Sequence, residues 1–357
     1  MITISLCMIV KNEEELIDRC LNCVRDIVDE IIIVDTGSTD KTKELASKYT
    51  TKIYDFEWID DFSAARNFSF SKATMDYIYT VDADEIIDEK NKEKFKLLKS
   101  SLTPEVDIVE IKYGNQLERG STYNFDVEYR PKLFKRVRAF KWIDPIHEIV
   151  DCRLNSITSD IQITHKPLTD HASRDLSMLE KITSEDKGLS SRLHMMYARE
   201  LFIAGTEDNF YKAFEYFNRS LTDGNMNIND IRLSHCVLAR YYNLKSDIYN
   251  LFKIATKNIQ GVASAEICCE LGYYYMKEKD YNEAVYWYYT ATTNASADLN
   301  INCVQFIPNM QLCYCYIELC NMAEAPKYND MAGIYKPNDP AVLANRNLFN
   351  NHHTELK

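Results

Sequence analysis

Two carboxylates one residue apart, Asp82 and Asp84 with Ala83 between them, follow the apolar run Tyr77-Ile78-Tyr79-Thr80-Val81. Residues i and i+2 of an extended chain point the same way, so the pair is expected to face one site beyond a buried strand, with small Ala83 leaving room for a sugar phosphate. Hard divalent cations prefer carboxylate oxygens together with substrate phosphates, and Mg²⁺ and Mn²⁺ both accept that set. The chemistry such a pair suits is the metal-assisted handling of a diphosphate. An isolated Asp-x-Asp is as readily a solvated turn, so the neighbouring sequence carries the decision. Glu85, next along, reads as solvated or as a supporting neighbour of the site.

The elements that would position the pair can be read upstream. Ile2 to Val10 is apolar and β-branched and stops at Lys11-Asn12-Glu13-Glu14, which opens a helix with Leu16, Ile17, Cys20, Leu21 and Val24 on one face. A second run, Glu30 to Asp35, ends in Asp35-Thr36-Gly37-Ser38-Thr39-Asp40, where Gly37 permits a tight turn and Ser38, Thr39 or Asp40 can cap a helix over Lys41 to Tyr49. A short strand near Lys52 to Asp55 and a helix over Ser63 to Ala73, capped by Asp60 or Asp61, precede the strand that delivers Asp82. Strands alternating with helices imply a mostly parallel sheet, whose ligands bind beyond the carboxyl ends of the strands. All three polar clusters lie at such ends. No GxGxxG or GxxxxGK[ST] is present, which argues against a dinucleotide fold or a P-loop.

Taken in order, MIVKNEE, VDTGSTDKT, SAARNFSFSKA and the strand ending VDADE resemble a family 2 glycosyltransferase of the GT-A fold. The resemblance implies a mostly parallel mixed α/β domain over residues 1–170 and an inverting transfer of a hexose from a UDP-sugar with Mg²⁺ or Mn²⁺. It implies that Val10, Asn12 and Asp35 line the nucleoside pocket, with Asp35 accepting from base or ribose. Arg66 is then expected near the diphosphate or donor sugar, with Asn67 in support. Asp82 would touch ribose or metal, Ala83 would border the nucleotide sugar, and Asp84 would be the principal metal ligand.

A second constellation follows Pro104: strand-like Asp107 to Tyr113 and Tyr123 to Val127, then Arg130-Pro131-Lys132-Leu133-Phe134-Lys135-Arg136, then Trp142 and His147-Glu148. This RPKLFKR, Trp and His-Glu order is also similar to family 2 enzymes, in which the acid of the second half approaches the acceptor. Inverting transfer needs a base opposite the leaving diphosphate, because the acceptor hydroxyl or thiol loses its proton as it attacks. Glu148 is the candidate base, with His147 as its positioner or rival. His165, ending Ile161-Gln162-Ile163-Thr164-His165, is a candidate further metal ligand. Asp144-Pro145 stands where relatives carry a small glycine turn.

Beyond about Asp170 the pattern turns helical and rich in tyrosine. Gly272-Tyr273-Tyr274-Tyr275, Tyr281, Ala284, Tyr288 and Ala291 sit in a stretch that resembles the tetratricopeptide repeat. Looser copies carry Tyr197, Phe210, Ala213 and Phe217, then Leu238 to Ile254, then Tyr316, Ala325, Ala332 and Pro337. Four helical hairpins are expected over residues 175–350. Stacked hairpins build concave surfaces that bind polypeptide, so this domain is expected to take a peptide or protein acceptor or to form a homodimer.

The chain of 357 residues accommodates two cores, and its net charge of −12 argues against nucleic acid as a partner. No stretch approaches eighteen apolar residues, and the N-terminal run meets Lys11 and Glu13 with no cleavage pattern, so a soluble cytoplasmic protein without a membrane span is expected. Eleven scattered cysteines do not form a secreted disulfide framework, and Cys20-x-x-Cys23 on a helix lacks the second pair that zinc would need. The two-part architecture resembles bacteriocin S-glycosyltransferases of the sublancin type, which implies a peptide Cys, or a Ser or Thr, as acceptor. It also resembles transferases acting on lipopolysaccharide core or surface polysaccharide. A non-catalytic repeat scaffold is the reading of another class, and the intact Asp82/Asp84 pair speaks against it.

Overall fold

The structure, a computed structural model, describes residues 1–114, 128–150, 155–166, 168, 172–185, 188–259 and 261–355. The strand expected over Tyr123 to Val127 lies outside them. Packing divides the chain into two units, Met1–His171 and Ala172–Lys357.

The first unit is α/β. Strands β1 (Ile4–Val10), β2 (Glu30–Asp35), β3 (Ile53–Asp55) and β4 (Tyr77–Thr80) alternate with helices α1 (Ile17–Val24), α2 (Thr42–Ala46) and α3 (Phe62–Lys72). Strand β5 (Glu85–Ile86) and helix α4 (Glu89–Ser101) follow. Then come β6 (Ile108–Gly114), β7 (Glu128–Lys135), a separate ribbon of β8 (Trp142–Ile143) and β9 (Ile149–Val150), and β10 (Ser156–His165). The eight-stranded sheet has the order β3-β2-β1-β4-β7-β6-β10-β5. The first four strands are mutually parallel, β7 is antiparallel to both neighbours, β10 is parallel to β6, and β5 is antiparallel to β10. Strands buried on both faces read as unbroken apolar runs, which is why β1 and β2 were legible. One face packs Ile17, Cys20, Leu21 and Val24 of α1 and Phe95 of α4; the other packs Phe70 and Ala73 with Ile78 and Phe134.

Local differences from expectation have physical causes. Helix α2 stops at Ala46 because Tyr49 N–H bonds back to Ala46 O and turns the chain toward β3. Asp61 caps α3 by accepting from Ala64 N–H. In β7, Pro131 offers no N–H to the ladder, and the register steps from Val109/Leu133 to Glu110/Pro131, so Lys132 is the extra residue of a bulge.

The second unit is mainly helical: α5 (Ala172–Ser184), α6 (Ser191–Ala204), α7 (Glu207–Ser220), α8 (Ile228–Leu244), α9 (Ile248–Asn258), α10 (Ala265–Lys277), α11 (Tyr281–Thr293), α12 (Phe306–Glu318), α13 (Ala325–Tyr335) and α14 (Pro340–Glu355), with a short parallel pairing of Ala263–Ser264 and Ala295–Ser296 between hairpins. Helix α6 packs on α8, α8 on α10 and α10 on α12, the alternate-helix contact of stacked hairpins, and Pro337 follows the end of α13. Glu266, fully buried in α10, accepts from the backbone N–H groups of Asp298, Leu299 and Asn300, which ties one hairpin to the loop opening the next. The described cysteines are free, and Cys20 is core packing in α1. Among the described residues no helix is long and apolar enough to cross a membrane.

Candidate active site at the carboxyl ends of the parallel strands

β2 and β4 flank β1, with Val10 in register with Asp35 and Cys7 with Thr80, so the polar residues after these strands gather along one edge. Val10 itself turns its side chain into the core, and its carbonyl accepts from Thr36 N–H and Oγ1–H, so only its backbone borders the edge. Asn12, at φ 56°, bridges the loops after β1 and β2: its Oδ1 accepts from Thr39 N–H at 2.8 Å and its N–H donates to Ser38 Oγ at 2.9 Å. The Asp35 carboxylate accepts through Oδ1 from Gly37 N–H at 3.0 Å and Ser38 N–H at 2.9 Å, which leaves Oδ2 buried without a hydrogen-bond partner among the described residues. Gly37 takes φ 103°, the conformation this Asx turn requires. Asp40, expected among the helix caps, binds Thr42 N–H at 2.9 Å, although Lys41 occupies the cap position.

Asp82 and Asp84 owe their orientation to a turn and not to strand alternation. β4 ends at Thr80, residues 83 and 84 are in a turn, and Glu85 N–H closes it on Asp82 O at 3.0 Å. Ala83 is buried in the turn. Asp84 lies against His165 because β5 pairs antiparallel with the end of β10: His165 is in register with Glu85, and Lys166 N–H donates to Asp84 O at 2.8 Å. His165 Nε2 is 3.0 Å from Asp84 Oδ2, and Asp84 Oδ1 is buried with no hydrogen-bond partner among the described residues. A hard oxygen donor of this kind, with a histidine nitrogen beside it, fits a divalent cation. Asp82 is engaged differently. Its Oδ1 accepts from Arg66 Nη2 at 2.9 Å, and its Oδ2 is 4.0 Å from Lys132 Nζ. Burial opposes ionisation of Asp82, but Arg66 and then Lys132 outweigh it and hold the carboxyl well below the usual range.

Glu85 is not solvated. It is 1% exposed and takes Lys132 Nζ at 2.5 Å, the bulge in β7 having turned that lysine inward. Burial pushes the Glu85 carboxyl up, with Lys132 counteracting and the neighbouring Asp82 and Asp84 adding to the rise. Tyr113 of β6 stacks against His165 at 5.4 Å and lies under Arg130 at 3.9 Å. Sequence places Arg130 and Lys132 in the RPKLFKR run and Tyr113 in its strand but gives none of them a role in the site; a lysine inside the stretch Pro131 to Phe134 is the available signal.

Arg66 stands between two acids. Its Nε donates to Glu148 Oε1 at 2.5 Å while Nη2 holds Asp82, and both neighbours raise its already high pKa despite burial. Asn67 does not support Arg66 as expected; its amide pairs with the backbone of Trp142 instead. The ribbon loop reaches Glu148 through two left-handed residues, Asp144 at φ 71° and His147 at φ 49°, so an aspartate, which tolerates that region, supplies the bend expected of glycine. The structure thus brings Arg66, Asp82 and Glu148 into one chain of contacts, and Asp84 and His165 into another.

Residues 5–157 match the family described as Glycosyl transferase family 2. A TPR repeat-containing protein of Synechococcus elongatus is 40% identical over 154 residues, 42% of this chain and 36% of that protein. The SPbeta prophage-derived glycosyltransferase SunS of Bacillus subtilis is 40% identical over 94 residues, 26% of this chain and 22% of that protein. The matched region therefore spans little more than a third, or less, of these curated relatives. Glucosyl-3-phosphoglycerate synthase from Mycobacterium tuberculosis, crystallised with Mn²⁺ and UDP-glucose, aligns at 16% identity and a TM-score of 0.38, covering 53% of this chain and 81% of that one.

Proposed function

From the premise that residues 5–157 are a family 2 glycosyltransferase domain, we propose that this chain moves a hexose from a UDP-sugar, with inversion, onto a side chain of a polypeptide. The observation that carries the reading is the pair of buried carboxylate oxygens, Asp35 Oδ2 and Asp84 Oδ1, left without hydrogen-bond partners among the described residues where ligands of a parallel sheet bind. Asp35 Oδ2 suits an N–H of the base or a ribose hydroxyl. Asp84 and His165 would hold Mg²⁺ or Mn²⁺, with Asp82 at its side; the ion, when bound, would offset the charge of the departing diphosphate. Glu148 keeps Oε1 on Arg66, which leaves Oε2 to take the acceptor's proton as its oxygen or sulfur bonds to the anomeric carbon and the bond to UDP breaks.

The polypeptide acceptor is supported by the stacked hairpins after residue 172 and by the similarity to SunS and to a TPR repeat-containing protein. Full-length protein is incubated with UDP-glucose, Mn²⁺ and paired peptides differing only in Cys or Ser. The expected outcome is a peptide heavier by one hexose and stoichiometric UDP. Absence of any UDP binding, with or without Mn²⁺, would sink the donor assignment, and transfer to saccharides alone would sink the acceptor assignment.

A further inference from the structure

Among the described residues the ribbon that presents Glu148 is not part of the eight-stranded sheet: β8 pairs with β9 alone, Trp142 with Val150 and Ile143 with Ile149. Helix α3 holds it in place. Asn67 Nδ2 donates to Trp142 O at 2.9 Å, and Asn67 Oδ1 accepts from Trp142 N–H at 2.9 Å. One side-chain amide thus replaces a neighbouring strand for both backbone groups of Trp142, which needs a donor and an acceptor on one short side chain. One turn earlier, Phe62 N–H donates to Pro145 O at 2.8 Å, inside the loop between β8 and β9. Arg66 completes the contact, with its guanidinium carbon 5.0 Å from the centre of the Trp142 ring and its two arms on Glu148 and Asp82. The same helix therefore touches the ribbon at its first strand and at two points of its loop, Pro145 and Glu148.

We propose that Asn67 and Arg66 are positioning residues of the transfer step: Asn67 fixes the β8–β9 ribbon that presents Glu148, and Arg66 ties Glu148 to Asp82. This rests on the reading of Glu148 as the base; it moves Asn67 from the donor side, where the family resemblance puts it, to the acceptor side, and makes Arg66 a bridge between the two. The physical reason is reach. A base works only within hydrogen-bond distance of the proton it removes, and a two-residue-per-strand ribbon does not hold that distance by its own pairing.

The test uses the full-length protein and a donor reaction that needs no known acceptor: release of UDP from UDP-glucose with water as nucleophile. UDP affinity in Mn²⁺ is measured alongside by calorimetry. Asn67→Ala is expected to lower turnover by about tenfold or more while UDP affinity stays within about twofold, the pattern of a group that acts in the transition state and not in donor binding. Asn67→Asp keeps the shape and the bond to Trp142 N–H and loses only the donor, so it gives a smaller loss in the same direction and serves if the alanine variant does not fold. Combined with Glu148→Gln, Asn67→Ala should add little, because residues acting through one another are not additive. Losses that multiply, or a fall in UDP affinity with full turnover at saturation, overturn the proposal. A wild-type rate in Glu148→Gln alone overturns the base assignment. The anchoring is then judged separately by acrylamide quenching of Trp142, with Trp58 and Trp287 replaced by phenylalanine: quenching that Asn67→Ala leaves unchanged overturns it.

Discussion

At the scale of single residues the site divides between two acids with different company. Asp84 has a histidine on one oxygen and no hydrogen-bond partner among the described residues on the other, whereas Asp82 is gripped by Arg66 and neighboured by Lys132. Asp84→Ala is therefore expected to abolish transfer and make UDP binding indifferent to Mn²⁺, read by calorimetry with and without the ion. Undiminished transfer in that variant would remove the metal assignment. Glu148→Gln is expected to keep UDP and Mn²⁺ affinity and to lower transfer to a Ser peptide by roughly 10²- to 10⁴-fold, the usual share of a general base. A Cys peptide should suffer less, and its residual rate should climb as pH approaches the thiol pKa of about 8.5. Equal losses for the two peptides would count against a thiolate route.

Among the elements, one buried contact in each unit can be tested for its share of stability. Glu30, at the start of β2, collects Ser5 of β1, Lys52 beside β3, and Thr74 N–H and Oγ1–H before β4. Burial opposes its ionisation, but the bonds from Lys52, Ser5 and Thr74 outweigh it and hold the pKa at about 2, against 4.5 when unfolded. A depressed folded pKa gives stability that is complete above pH 4.5 and is lost as pH falls toward 2. Glu30→Gln is thus expected to cost on the order of 2 kcal/mol at pH 7, after allowance for the solvent around Lys52. In thermal melts the gap from wild type should close below pH 4.5; a gap independent of pH would refute the linkage. In the helical unit Gly272 of α10 faces the ring of Tyr288 on α11, and a Cβ there would lie 2.8 Å from Cζ and 2.9 Å from both Cε atoms. The ring is buried. Alanine's helical advantage of about 1 kcal/mol is then outweighed by overpacking of about 1 to 3 kcal/mol, and Gly272→Ala should lower the melting temperature. A higher melting temperature would show that α10 and α11 separate without cost.

For the whole molecule, the two units carry buried groups with different acid responses. In the helical unit burial, with Lys257 and Arg232 adding to it, pulls His235 down to about 4 from 6.5. Its neutral form contributes stability above pH 6.5 that is lost as pH falls toward 4, a window above that of Glu30. Residues 1–171 expressed alone should bind UDP with Mn²⁺ and transfer poorly to a peptide acceptor that the full chain modifies. A folded fragment that modifies the peptide at the full rate would give the hairpins another task. His235→Gln in the full chain should flatten the stability loss between pH 6.5 and 4, as followed by helical circular dichroism; an unchanged loss would assign that window elsewhere.

Local sequence was sufficient wherever the information was local. Apolar runs marked β1, β2 and β4, helical spacing marked α1 and the hairpins, and carboxylates after strands marked Asp35, Asp82 and Asp84, because burial on one or both faces of an element is written in its own period. What remained hidden depended on pairing between distant segments. Strand alternation was the wrong geometry for Asp82 and Asp84, since the chain leaves β4 at Thr80 and turns. Glu85 read as either solvated or a supporting neighbour, and sequence did not decide between them because its partner, Lys132, arrives from a bulge in a strand 47 positions away. Asn67 and Arg66 sit on a helix beside the Asp pair in sequence order, yet the tertiary fold turns them toward Trp142 and Glu148, 75 and 82 positions on. Which strand a side chain meets is set by sheet order and register, and neither is a property of the segment that carries it.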